Sequence, residues 1–166
     1  MPNTYVAIAT VTVGAGGAST IEFTSIPQTY TDLLVKISAR GNPSYVNSSF
    51  FIEPNGLTTS KTARRLYGNG SSASTDTNEY IEGNGSISTA LVFANLEIYI
   101  PNYTSSNYKS ISIDNVTENN ATLAYTFFIS ILWSNTSAIT SLTFNPYSTD
   151  IFNQYSTATL YGIKNS

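Results

Sequence analysis

The stretch LAYTFFISILW, residues 123–133, decides what kind of protein this is. Leu123, Tyr125, Phe127, Ile129, Ile131 and Trp133 fall at every second position, and a period of two places them all on one face of a β-strand. From Tyr125 to Trp133 the run is nine residues long, with Thr126 and Ser130 inside it. That is far short of the roughly 20 apolar residues a membrane-spanning helix requires.

The same period extends in both directions. Val92, Ala94, Leu96, Ile98 and Ile100 alternate up to Pro101, and Ile111 and Ile113 continue the pattern. Leu33, Val35, Ile37 and Ala39 point one way while Leu34, Lys36, Ser38 and Arg40 point the other, as in a half-buried strand. Tyr5, Ala7, Ala9, Val11 and Val13 are expected on one face of a first strand, which the glycine-rich residues 14–17 end. Shorter strands are expected at 21–24, 50–52, 62–66, 139–144 and 155–163, with Pro54-Asn55-Gly56 a strong turn. Residues 68–90, rich in Gly, Ser, Asn and Thr, read as a long surface loop with room for a short hairpin. Together these give about ten short strands, helix signals being nearly absent. The expected fold is all-β: one domain over 1–166, an antiparallel β-sandwich of the jelly-roll kind.

Composition narrows the chemistry. The 166 residues include no cysteine and no histidine, which removes disulfides, thiolate nucleophiles, imidazole-based triads and the usual zinc sites. Charged residues make up 10% of the chain against about 25% in an average domain, so Asn, Ser and Thr must keep it soluble. Seven basic residues spread along a chain of net charge −3 give no footprint for nucleic acid or an anionic membrane. The opening residues, MPNTYVAIATVTVGAGG, lack a charged leader and read as a strand rather than a signal peptide. Seven Asn-x-Ser/Thr sequons then follow from composition alone.

Three groups of residues invite a functional reading. RRLYGNGSS (64–72) pairs two arginines with Gly-x-Gly, but a phosphate loop needs a helix behind the glycines and a lysine before Ser or Thr, and neither is present. Arg64 and Arg65 then lie on opposite faces of a strand end with at least one in solvent, or one of them meets a carboxylate of a neighbouring subunit. Asp76, Asn78, Glu79 and Glu82 offer oxygens for calcium, yet lack the glycine and terminal glutamate of the EF-hand loop; a solvated acidic loop is the simpler reading. Two of the ten acids could serve glycoside hydrolysis only if folding paired them, and no neighbour marks any of them out. Among the twelve tyrosines, Tyr103, Tyr108 and Tyr147 sit in or beside turns, where an exposed ring can anchor a protein interface or stack on a sugar. The plainer alternative is a ring capping the end of the sandwich. Trp133 is expected in the core.

Six stretches carry a resemblance: FTSIPQTYTDLLVKISAR (23–40), RRLYGNGSS (64–72), NLEIYIPNY (95–103), VTENNAT (116–122), LWSNTSAITSLTF (132–144) and QYSTATLYGIK (154–164). In this order they are similar to a family of virion structural proteins of tailed bacteriophages, many of them marine. The resemblance implies a virion structural protein, made in the host cytoplasm and carried in the particle, and it brings no catalytic, cofactor-binding or metal-binding residues with it. Within a particle, a lone β-domain with no helical trimerisation stalk and no long tail-attachment segment suits a non-enzymatic capsid decoration, or cement, protein binding the major capsid protein as a homo-oligomer, a trimer being expected because capsid sites carry local symmetry. The alternatives are a tail, fibre or appendage component that recognises host glycans and a scaffold-like tail protein with no ligand. Residues 5–13, as an edge strand, would be a candidate for pairing with a neighbour.

Overall fold

The structure, a computed structural model, describes residues 4–118 and 124–164. Twelve strands form two antiparallel sheets: β1 (Tyr5–Thr12), β2 (Ile21–Phe23), β3 (Asp32–Ala39), β4 (Asn47–Pro54), β5 (Lys61–Gly68), β6 (Ala73–Asp76), β7 (Ile81–Asn84), β8 (Ala94–Ile100), β9 (Lys109–Thr117), β10 (Tyr125–Trp133), β11 (Leu142–Pro146) and β12 (Thr157–Ile163). The eight-stranded sheet runs β1-β12-β3-β8-β9-β10-β5-β6 and the four-stranded sheet β2-β11-β4-β7.

Within this order lies a complete jelly roll. The quartets β1-β12-β3-β8 and β2-β11-β4-β7 interlock as two Greek keys, the chain passing repeatedly from one sheet to the other. The other four strands, β9, β10, β5 and β6, prolong the larger sheet beyond β8. Alternation explains the core. Leu33, Val35 and Ile37 of β3, Leu96, Ile98 and Ile100 of β8, and Phe127, Ile129, Ile131 and Trp133 of β10 are all buried. They meet Phe23, Phe50, Ile52 and Phe144 from the smaller sheet, three of whose rings pack edge to face: Phe144 lies 6.4 Å from Phe23 and 6.3 Å from Phe50. Leu123, expected in the β10 row, lies outside the described residues.

The twelve strands of the described residues agree with the expected all-β sandwich of about ten. Two other expectations are corrected. Residues 68–90 hold the short hairpin allowed for there, β6 closing on β5, but they are not all surface loop: β7 is an edge strand of the smaller sheet with all four residues buried. In β1 a bulge between Ala7 and Ala9 breaks the register, so Tyr5 and Ala7 do not share a face with Ala9 and Val11. Ala7 lies opposite Tyr161, whereas Ala9 and Val11 lie opposite the buried Leu160 and Ala158.

The edge strand β7 is sealed from the side. Asn115, on the inner face of β9 and fully buried, accepts a bond from the Glu82 amide at 3.2 Å and donates Nδ2 to the Glu82 carbonyl at 2.8 Å. Its amide thus supplies both bonds of a missing strand neighbour. Glu118 N donates to Asn84 Oδ1 at 3.1 Å, extending the seam.

Candidate functional site

The sequence pointed first to Arg64 and Arg65, and β5 separates them. Arg65 lies opposite Ile129, on the inner face, and is 7% exposed. Its Nε and Nη2 donate to the two oxygens of Asp76 at 2.9 and 2.8 Å, and its Nη1 donates to Glu82 Oε1 at 2.8 Å and to the Tyr80 carbonyl at 3.1 Å. Burial opposes the Arg65 charge, but the hydrogen bonds and charges of Asp76 and Glu82 outweigh it and raise its pKa. The hydrogen bond from Arg65 holds the Asp76 carboxyl below its usual range. Beside it, Lys61 Nζ meets Glu79 Oε2 at 3.1 Å and donates to the Ile52 carbonyl at 2.9 Å. Asp76, Glu79 and Glu82 are therefore counter-ions of two enclosed cations, neither a calcium loop nor a solvated acidic one. Arg65 finds its carboxylates within its own chain, not on a neighbouring subunit.

Four of the seven cations are withdrawn from the surface in this way. Arg40 donates five bonds to the β7–β8 connection, to the carbonyls of Ser86, Ser88, Thr89 and Val92 and to Ser88 Oγ, and burial lowers its pKa. Lys109, also with its pKa lowered by burial, donates to the carbonyls of Ser105 at 2.7 Å and Ser137 at 2.6 Å. Both cations tie loops together through neutral carbonyls.

Arg64 faces the opposite way. It is exposed, donates to its neighbour's carbonyl, Ala63 O, at 2.8 Å, and belongs to the outer face of the four-strand extension. There Phe128 of β10 lies directly opposite Leu66 of β5, 58% and 53% exposed, with Leu132 and Val116 exposed on the same face. Arg64, Leu66, Thr75, Phe128 and Ser130 line an open groove of about 580 Å³.

The tyrosines divide. Tyr103 is fully buried, its hydroxyl donating to the Pro27 carbonyl and its own carbonyl accepting from Ile139 N at 2.9 Å, so it closes one end of the sandwich and is not a partner contact. Tyr108 is exposed in the β8–β9 connection. Tyr147 is exposed beside Asp150 and Tyr45, at the end formed by the β3–β4, β7–β8 and β11–β12 connections. The structure does not bring the three together.

That loop end holds residues the sequence reading missed: Tyr45, Ile87, Leu91 and Tyr155 are all strongly exposed there, Leu91 to 84%. Leu91 and Tyr155 also adopt left-handed backbone, φ 63° and 73°, which costs a side-chain-bearing residue roughly 1–2 kcal/mol. They flank a groove of about 400 Å³ floored by Gly16, Gly17 and Arg40. The proline-serine turn before Tyr45 was the available signal. Nothing in the composition around Leu91 foretold its exposure.

Among the described residues no group of three or more Asp or Glu is placed to hold a metal ion. Comparison with protein-family models, curated proteins and solved structures finds no match for this chain.

Proposed function

We propose that this chain is a non-enzymatic virion protein that decorates an assembled phage capsid, docking through the outer face of its extended sheet. One observation carries the reading. A jelly roll is complete in eight strands, and the four added here present Leu66, Phe128, Leu132 and Val116 to solvent on a single face. Leu66 and Phe128 are direct cross-strand neighbours, and exposed apolar side chains gathered on one face in this way mark protein-docking surfaces. Arg64 at the margin supplies a charge-assisted contact at the polar rim. The loop acids are engaged with cations, which supports a structural rather than a catalytic role. The surface cations left over are Lys36, paired with Glu97 at 2.7 Å, Arg64 and Lys164, too sparse a set to favour nucleic acid or an anionic membrane.

On this reading the protein is made in the host cytoplasm and adds to the finished shell as a homo-oligomer, a trimer being the expected form because capsid sites carry local symmetry. The test is the double variant Leu66→Asp with Phe128→Asp. Both side chains are exposed, so the chain folds as before by circular dichroism, while its occupancy on purified capsids falls at least tenfold. Undiminished occupancy would reject the docking face. A second reading, a tail or fibre component that recognises host glycans, is favoured by the aromatic groove at the loop end; copy number per particle separates the two.

A further inference from the structure

We infer that the groove between Tyr45 and Tyr147 is a binding site for a neutral pyranose sugar. It measures about 290 Å³, just under the roughly 300 Å³ at which ligand clefts usually start and enough for a single sugar ring. Tyr45, Asn47, Ser49, Tyr80, Tyr147 and Asp150 line it.

The chemistry of the lining selects the ligand. Tyr80 and Tyr147 meet almost at right angles, 82° with centroids 5.6 Å apart, and Phe51 backs both, at 5.4 and 6.2 Å. Across the groove Tyr45 is 73% exposed. A pyranose is amphipathic in the complementary sense: C–H bonds on one face suit the electron-rich face of a tyrosine, and hydroxyls round its rim need polar partners. Asp150 offers an acceptor able to take two hydroxyls, and takes part in none of the ion pairs found among the described residues. Asn47 accepts from Thr117 Oγ1 at 3.1 Å through its Oδ1, which directs its Nδ2 to donor duty.

Charge removes the competitors. No Lys or Arg lines the groove, and Asp150 repels a carboxylate or sulfate, so acidic sugars are disfavoured. A cationic ligand is disfavoured from behind: the aromatic cluster already carries Arg65 at 5.8 Å from the Tyr80 ring centre and Lys61 at 5.8 Å from that of Phe51.

The groove is also rigid. Tyr147 N donates to the Ser49 carbonyl at 2.9 Å, and Asp150 N to the Tyr147 carbonyl at 3.2 Å, closing a turn in which Ser148 has φ 59°. Tyr147 and Asp150 are thereby fixed together. The Tyr45 backbone runs so close to Gly85 that a Cβ there would lie 2.0 Å from the Tyr45 carbonyl oxygen. Arg65 anchors the Tyr80 carbonyl at 3.1 Å. A preformed site loses little entropy on binding.

The site is separate from the capsid-docking face, and its test involves no particle, so either proposal can fail alone. The full chain, isotopically labelled, is titrated by NMR with methyl glucoside, methyl galactoside, methyl mannoside, N-acetylglucosamine and N-acetylgalactosamine. Sialic acid and tetramethylammonium serve as the charged controls. At least one neutral sugar is expected to shift the amides of 45–49, 80 and 147–150. Tyr147→Ala and Asp150→Ala should each weaken it roughly tenfold or more, about 1.4 kcal/mol, while Tyr147→Phe retains stacking and most of the affinity. An oligosaccharide array then distinguishes a free or terminal sugar from an internal unit of a polysaccharide. Absence of shifts with all five sugars, shifts confined to other surfaces, or preferential binding of either charged control would overturn the proposal.

Discussion

At the scale of single residues, Arg65 has the most consequences. Arg65→Ala would leave Glu82 buried without its cation, and removing one partner of such a pair typically costs about 3–5 kcal/mol, measurable by urea denaturation. Arg65→Lys keeps the charge but loses the two-pronged contact with Asp76, so an intermediate loss is expected. The same contact makes stability depend on acid. Because the folded-state pKa of Asp76 lies below its unfolded value, the unfolded chain takes up a proton first as pH falls. This contribution is present above about pH 4 and fades as pH drops through the folded pKa; Asp76→Asn should flatten that part of a denaturation-against-pH curve. Both ends of the cluster stood out in the sequence, Arg64-Arg65 and the acids of 76–82. Their pairing did not, because it depends on a hairpin with no apolar alternation to betray it. Tyr103 shows the opposite difficulty: its turn-like neighbourhood left exposure and end-capping both open, and the ring proves fully buried with its hydroxyl on the Pro27 carbonyl.

At the scale of elements, legibility followed side-chain burial. Strands β8 and β10 could be read because they bury every second side chain, and β3 because Leu33, Val35, Ile37 and Ala39 form such a row, although Asp32 and Leu34 are buried beside it. Strand β6 has no large apolar residue, and β7, Ile-Glu-Gly-Asn, has one; what β7 buries besides Ile81 is polar, Glu82 and Asn84 included, and a hydrophobic pattern is blind to it. The bulge in β1 was hidden because Val6 and Ile8 are as apolar as Ala7 and Ala9, so either parity fits the pattern. The β7 seam yields a prediction of its own. Asn115→Ala leaves the Glu82 N–H and C=O without their side-chain partner; a loss of roughly 1–3 kcal/mol is expected, with faster hydrogen exchange at the Glu82 amide. At the far edge, among the described residues, β1 pairs with β12 alone and leaves its other side for a neighbour. If that edge joins copies of the chain, deleting residues 1–12 changes the oligomer size measured by light scattering; an unchanged size would remove strand addition from the account.

At the scale of the whole molecule, the jelly roll was legible from strand number and spacing, and the extension was not. Nothing in an alternating strand says whether it closes a sandwich or prolongs one sheet, and β5, β9 and β10 have the same inward rows as their neighbours. The extension gives the molecule two differently equipped regions, an apolar platform and a loop end with aromatic grooves. If the platform sits on a capsid, the protein should be present in hundreds of copies per particle by quantitative mass spectrometry, and its melting temperature should rise on binding by mass action. A few dozen copies would place it in the tail or fibres. The pairing of Tyr5 with Ile163 has a further meaning in time. Strand β12 fits between β1 and β3, so a nascent chain on the ribosome holds an open slot in its larger sheet until residues 157–163 emerge. Contacts so distant in sequence form slowly, and until then the slot exposes two unpaired edges to every other unfinished copy nearby. Folding yield should therefore fall with the rate of synthesis, and recover when expression is slowed.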